Sequence, residues 1–422
     1  MKNVLFIVYY FPPMGGSGVQ RPLKFVKYLR EFGWNPIVLC PEPGAYHTFD
    51  ESLNEELQNL NIDVFRVEAD TPFHKISQRK KDVNIPEPLG QVLRWISNFI
   101  YLPDNKKKWI GPGFKKALEI IDSKKIDLIF STAPPYSNLM LAKRIKDKTG
   151  IPVVMDLRDD WVGSHLLRYP TRWHRKKMEA LEIETLSKAD ELLTVNEHIA
   201  DSINSRVLKK PKVIGHGYDP QDFEDANAIA PSSPNKISFL YSGVFYPDST
   251  PKVFLQAMAK LFQKKPHLRG RIELQFQGGL NATHWKTINK LNLTSLIVDY
   301  GYVDHKTATK NLLKANILWL NIGQKKNPEI ISLGKTSEYF ATKKPILGLV
   351  PEGSAKELLL NYGRAYLAKP YDVDEVSSQL GHLIKDFEDD NIPDYSAEFV
   401  ELFNRKYLTQ ELTKIFNEIS TQ

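Results

Sequence analysis

A few short stretches hold the side chains that could do chemistry. The segment SLGKTSEYFATKKPILGL (332–349) puts Lys335 and Glu338 three apart, on one face of a helix that Lys343-Lys344-Pro345 ends. Lys335, with the free amides around Gly334–Thr336, would hold a diphosphate, and Glu338 would accept hydrogen bonds from paired ribose hydroxyls. The same pair would serve equally as a surface i,i+3 ion pair. The segment FPPMGGSGVQR (11–21) offers Gly15, Gly16 and Gly18, whose tolerance of positive φ lets backbone approach a phosphate. Arg21 follows as a further cation or a solvated side chain. The G-G-S-G spacing is neither the G-x-G-x-x-G fingerprint nor a lysine-bearing phosphate loop, and a turn that merely needs glycine would look the same.

Three further loops follow strand-like runs. In VVMDLRDDWVGSH (153–165) an apolar run meets Asp156, Arg158, Asp159 and Asp160. These either bind a polar acceptor, with Asp159 as a base, or stabilise their own loop as an Asp–Arg pair and caps. No histidine or second acid cluster joins Asp159 and Asp160 to complete a metal shell, and His165 alone does not supply one. In FLYSGVFYPDSTPK (239–252), Gly243 exposes backbone amides to a ligand, and Lys252 opens the next helix as a second phosphate cation or a solvated side chain. The glycines of VIGHGYDP (213–220) suit a hinge.

The elements that must position these loops alternate. Strand patterns at 3–9, 36–40, 63–67, 126–130, 151–155, 191–195 and 211–214 interleave with helical periods from RPLKFVKYLREFG through 196–206, including one near 89–101. The alternation stops at FEDANAIAPSSPNK and resumes from 237. We therefore expect an α/β protein of two Rossmann-like, doubly wound parallel-sheet domains facing a cleft, at 1–222 and 237–395. Residues 223–236 would be the linker, and 396–422 terminal helices able to pack back on the first domain.

Bulk properties set the limits. At 422 residues the chain is too long for one ordinary core. Its net charge of +7 is uneven: residues 236–350 carry 17 Lys+Arg against 6 Asp+Glu, whereas 351–422 carry 7 against 14. A basic middle suits an anionic ligand such as a nucleotide diphosphate, and would also suit nucleic acid or an anionic membrane. The single cysteine, Cys40, sits in an apolar run and reads as core, so a reducing, cytoplasmic setting is expected. MKNVLFIVYYF reads as a first strand because Pro12-Pro13 ends it early, and no stretch reaches the ~18 apolar residues of a membrane span.

Taken in order, the strand–GG–helix opening, NPIVLCP, KADELLTVNEHIADSI, FLYSGVFYP, NLLKANILWLNI and GKTSEYFATKKPIL resemble the GT-B glycosyltransferases, specifically the retaining group 1/family 4 type, over nearly the whole chain. The resemblance implies transfer of a sugar from a nucleotide-diphosphate donor to an acceptor hydroxyl, with retention and without a cofactor or an obligatory metal. It assigns Gly15, Gly16 and Gly18 to diphosphate approach, Lys335 and Thr336 to the diphosphate and Glu338 to the ribose, with Gly243 and Lys252 beside them. Arg21, Arg158 and Asp159 would face the acceptor, a sugar or lipid-linked glycan of surface polysaccharide or glycoconjugate synthesis, and Lys335 and Asp159 would be catalytic. The chain departs from the pattern at Ile330, where a second glutamate would stand, at Val244 for an arginine and at Lys344 for a glycine.

Competing readings are an inactive transferase-like partner protein, a sugar-nucleotide epimerase on the same fold, a nicotinamide-dependent oxidoreductase and a nucleic-acid binder. The basic window lacks the aromatic–basic organisation of a known nucleic-acid module, and no nucleic-acid partner is expected. The segment GQVLRWISNFIYLPDNKKKW (90–109) reads either as a core helix with a basic loop, or as a face that rests Lys106, Lys107, Lys108 and Trp109 on an anionic bilayer.

Overall fold

The computed structural model describes the chain except residues 44–48, 70–98, 100, 165–166, 168, 225–234, 247–248, 324–333 and 421–422. Most of the helix expected over 89–101, the middle of the 223–236 stretch, His165, and the Glu329–Ile330 pair lie outside the described residues. Two compact units emerge: Met1–Gly215 together with Arg405–Gln422, and His216–Asn404.

Seven strands form the sheet of the first unit, the central ones nearly unbroken apolar runs, as burial on both faces requires. They are β1 (Lys2–Ile7), β2 (Trp34–Pro41), β3 (Asp63–Val67), β4 (Leu128–Ala133), β5 (Val153–Leu157), β6 (Glu191–Thr194) and β7 (Lys212–Val213). All pair in parallel in the order β3-β2-β1-β4-β5-β6-β7. The helices are α1 (Ser17–Leu29), α2 (Glu51–Asn59), α3 (Ile110–Ser123), α4 (Ser137–Thr149), α5 (Arg172–Leu186) and α6 (Glu197–Val207). Winding runs outward from β1 on one side and from β4 on the other, with Val4 opposite Leu128 and Ile7 opposite Ser131. Loops leaving those two strands therefore diverge, and a crevice opens at their carboxyl ends.

The second unit repeats the scheme with β8 (Ile237–Ser242), β9 (Ile272–Gln277), β10 (Ile297–Asp299), β11 (Ile317–Asn321), β12 (Ile346–Leu349) and β13 (Ala365–Ala368). Their order is β10-β9-β8-β11-β12-β13, again all parallel, with the reversal between β8 and β11. Its helices are α7 (Lys252–Lys264), α8 (Ala282–Lys290), α9 (His305–Lys314), α10 (Lys335–Ala341), α11 (Ser354–Tyr362), α12 (Val373–Glu388) and α13 (Ala397–Glu401). The sequence pattern did not reveal α2, α11 or β13. Helix α2 buries only Leu53 and Leu57, and the four residues of β13 are too few to show a period.

Two chain crossings differ from the expected boundaries. The first comes after Gly215, because Phe223 is buried in the second unit's core and stands edge-on to Tyr218 at 5.8 Å. The second comes after Asn404: Phe399 and Phe403 pack on Phe340, so α13 stays with the second unit. Only α14 (Arg405–Ser420) joins the first unit. There Phe416 is fully buried between Trp34 and Phe130, at 5.3 and 5.9 Å between ring centroids. The Trp34 indole donates to Asn417 Oδ1 at 3.1 Å. Phe416→Ala should therefore cost the first unit about 3–5 kcal/mol. Urea unfolding followed by an environment-sensitive tryptophan signal checks this; an unchanged midpoint would mean that α14 is not part of that core.

Candidate active site

At the reversal point of the second unit, one peptide is held from three sides. Ser242, the last residue of β8, donates its N–H to the Tyr339 hydroxyl at 2.9 Å. Its carbonyl accepts from Lys335 Nζ at 3.0 Å, and its Oγ accepts from Gln277 Nε2 at 2.8 Å. Lys335 and Tyr339 are i and i+4 on α10, so they share a face by helix geometry alone. That face is stapled to the end of β8, and the Tyr339 hydroxyl also donates to the Trp319 carbonyl on β11 at 3.3 Å. The Lys335 ammonium lies 3.7 Å from the centroid of the Tyr241 ring, a cation–π contact. Burial pushes the Tyr241 and Tyr339 phenols well above their ordinary range, so both stay neutral.

Gly243 follows Ser242 with φ +124°, and a Cβ there would lie 3.5 Å from Lys335 Nζ. The absence of a side chain leaves the ammonium facing open backbone. Gly278 is needed for a different reason: its Cβ would fall 2.4 Å from the Gly243 carbonyl oxygen. Glu338 is half-buried on α10, whereas Thr336 is buried and presents almost no side-chain surface. Lys252 opens α7 with an exposed side chain, and Val244 is exposed. Thus Lys335, Gly243 and the end of β8 come together in the structure. Sequence reasoning missed Tyr241, Ser242, Gln277 and Tyr339. The i,i+4 relation of Lys335 and Tyr339 was the available signal.

The first unit corrects the reading of its cations. Arg21 is neither solvated nor presented to a ligand; it is 1% exposed. Its Nε and Nη2 donate to the two Asp156 carboxylate oxygens at 3.0 and 2.8 Å. The remaining donors reach the carbonyls of Gly215 and Ile214 at 2.6 and 2.9 Å. Asp156 also accepts from Thr132 Oγ1 at 2.7 Å, so α1, β4, β5 and the chain after β7 are joined through one buried ion pair. Arg158 likewise spends its guanidinium on backbone carbonyls, those of Ala133, Gly18 and Pro134 at 3.2, 2.5 and 2.6 Å. Burial lowers its pKa. Both arginines fix the loops, and neither offers a free donor fork to an acceptor.

Asp160 is committed as well. It accepts from Ser202 Oγ at 2.6 Å and from Arg206, which also grips the fully buried Glu182. The Tyr136 ring stacks on Trp161 at 4.7 Å and donates its hydroxyl to the Asp160 carbonyl at 3.1 Å. Asp159, between these anchored neighbours, is half-buried and makes no described hydrogen bond. Its pKa is raised, chiefly by burial, with Arg158 opposing and Asp160 reinforcing the shift. Of the loop's three carboxylates, it alone makes no hydrogen bond among the described residues, which leaves it as the candidate base. In the glycine loop, Gly15 is buried and Gly16 is exposed with φ +97°. Gly18 leaves room for Arg158 Nη1, 3.4 Å from where its Cβ would stand. Helix α1 has no side-chain cap.

Comparison with known proteins now bears on this geometry. Residues 16–216 match the family described as glycosyl transferase 4-like domain. Curated protein sequences give no match. Among solved structures, sucrose-phosphate synthase from Thermosynechococcus elongatus is similar with a TM-score of 0.67 at 14% identity, over 99% of each chain. Anabaena HepE in complex with UDP-glucose is similar at 0.64 and 13%, over 99% of this chain and 100% of that one. S. aureus TarM, solved with UDP and an α-GlcNAc-glycerol, is similar at 0.65 and 10%, over 100% of both. At such identities the likeness is one of fold. The family match thus lies in the first unit, and two parallel sheets of reversed order give the chain the GT-B fold of these structures.

Asp159 gives a test with opposite signs in two assays. A folded pKa above the unfolded value means that the ionised carboxyl costs stability at neutral pH, a cost relieved as pH falls through the folded pKa. Asp159→Asn should therefore raise the urea midpoint at neutral pH while lowering kcat about 10²–10⁴-fold. The wild-type rate should fall on the acid side at a higher pH than an ordinary carboxylate would give. A variant that is less stable and fully active would remove Asp159 from catalysis.

Proposed function

We propose that the chain moves a sugar from a nucleotide-diphosphate donor to an acceptor hydroxyl, with the diphosphate held in the second unit by Lys335. The carrying observation is the Lys335 ammonium seated over the reversal point of the sheet, beside Gly243 and against the Ser242 carbonyl. Anabaena HepE, of the same fold, has been solved with UDP and with UDP-glucose, which supports a donor of this class. Glu338, three residues along α10, accepts from the ribose hydroxyls, and Lys252 adds a second cation near the same strand end. The glycine loop 15–18 and Asp159 in the first unit serve the sugar and the acceptor.

In the transfer, the acceptor oxygen bonds to the anomeric carbon on the same face that the diphosphate oxygen leaves, as that carbon's bond to the diphosphate oxygen breaks. The nucleoside diphosphate leaves with the electron pair, and the acceptor's proton passes to the Asp159 carboxylate. Lys335 acts where negative charge grows, on the departing diphosphate. We read the outcome as retention and the product as a surface polysaccharide or glycoconjugate. A sugar-nucleotide epimerase would need no acceptor, and an inactive relative would bind donor without releasing diphosphate.

Lys335→Ala should weaken nucleoside diphosphate binding, and Glu338→Gln should weaken recognition of ribose, each by about 1.5–3 kcal/mol or ten- to a hundredfold. Calorimetry measures both, and unchanged affinity in the two variants would dismiss this pocket. We also propose that transfer proceeds without a divalent metal. In support, no group of three or more His, Cys, Asp or Glu is gathered as a metal shell among the described residues. Activity should survive a chelator; a loss restored by magnesium or manganese would overturn the point.

A further inference from the structure

Helix α5 is charged against its own dipole. Its first two turns read RWHRKK, and Arg172, Trp173, Arg175, Lys176 and Lys177 are all exposed. The first turn holds no acid and the last turn no base, the reverse of what a helix dipole favours. None of the four cations has a carboxylate within 4.0 Å among the described residues, although elsewhere on this unit lysines pair freely. The opposite face explains why the helix still forms: Thr171 caps it through the His174 amide, and His174, Met178, Glu182 and Leu186 are buried at helical spacing. Nothing in the fold of this unit accounts for the outer face.

That face also carries aromatic surface. Trp173 is 62% exposed and Phe99 is 49% exposed, and both rings lie against His174, at 4.9 and 4.8 Å between centroids. The His174 ring in turn is fixed by Thr171 Oγ1 at 2.8 Å and meets the Phe99 carbonyl at 3.2 Å. An indole and a phenyl ring flanked by four exposed cations, none with a carboxylate partner among the described residues, match the boundary of an anionic bilayer, where rings enter the headgroup layer and cations meet lipid phosphates. Trp109, which one of the two readings of 90–109 set on a bilayer, is fully buried and edge-on to Tyr9 at 5.7 Å, so it cannot enter a membrane. Lys106 leans over the Tyr9 ring at 5.3 Å, leaving only Lys107 and Lys108 exposed in that segment.

We propose that the N-terminal half of α5, with Trp173 and Phe99, is a docking surface for an anionic membrane. It follows directly on the loop that carries Asp159, and would bring that loop to acceptors held in lipid. Docking itself is independent of which sugar is moved.

The test is flotation of the full chain with vesicles of phosphatidylcholine containing about one third phosphatidylglycerol, without donor. Each cation near such a surface is worth about fivefold in partitioning, so Arg172, Arg175, Lys176 and Lys177 changed together to Gln should lower it by two to three orders of magnitude. Trp173→Ala should lower it about tenfold at high salt, where charge is screened. Circular dichroism confirms that each variant folds, and Lys107→Gln with Lys108→Gln should float as the wild type does. Wild-type protein that stays with the soluble fraction at low salt would overturn the proposal. So would a quadruple variant that floats normally, or binding to single-stranded DNA under conditions where vesicles are not bound. A failed transfer assay would leave all these readings intact, since no donor is present.

Discussion

The contact between the Lys335 ammonium and the Ser242 carbonyl, at 3.0 Å, fixes the cation on which the proposed anion site of the second unit depends. A lysine on a helix is normally a mobile cation whose long side chain keeps its head in water. Here the helix is stapled to the sheet by Tyr339, one turn along, and the ammonium rests on the Tyr241 ring. Its position is therefore set before any ligand arrives. A preplaced charge need not be reorganised as a diphosphate departs, which is the condition under which electrostatic stabilisation is most effective.

The first unit uses its charges differently. The Arg21–Asp156 pair is almost entirely removed from water, and burying it offers little net stability by itself. Its value is geometric: the guanidinium holds the backbone after β7 while the carboxylate takes Thr132. Arg158 and Arg206 tie down the flanks of the same loop. Asp159 makes no hydrogen bond among the described residues, and burial raises its pKa. Stability given up at one carboxyl inside an over-determined loop is the usual mark of a functional position.

The two-sheet fold was legible because parallel strands buried on both faces read as continuous apolar runs, as VLFI and IVLC do. That Lys335 and Gly243 stand at a strand end could also be read, since loops after such strands are where ligands bind; the roles of these residues and of Glu338 remain proposals. Arg21 and Arg158 were misread because a sequence does not show whether an arginine beside a strand end faces water or a ring of carbonyls. For Arg21 that depends on Asp156, Ile214 and Gly215, up to 194 residues away, and for Arg158 on the carbonyls of Gly18, Ala133 and Pro134. The boundary near 223 was misplaced for a related reason. Composition marks where the chain becomes irregular, whereas the transfer between units is marked by the burial of Phe223 in the second core. The outer face of α5 was overlooked because its charges look like any solvated surface until they are seen to have no carboxylate partner among the described residues.

Hydrogen–deuterium exchange with a panel of nucleoside diphosphates tests the central claim most directly. A bound diphosphate should slow exchange at the end of β8, through Ser242 and Gly243, and across α10 from Lys335, and Lys335→Ala should abolish that protection. Protection confined to the first unit, or unchanged in the Lys335 variant, would contradict the account.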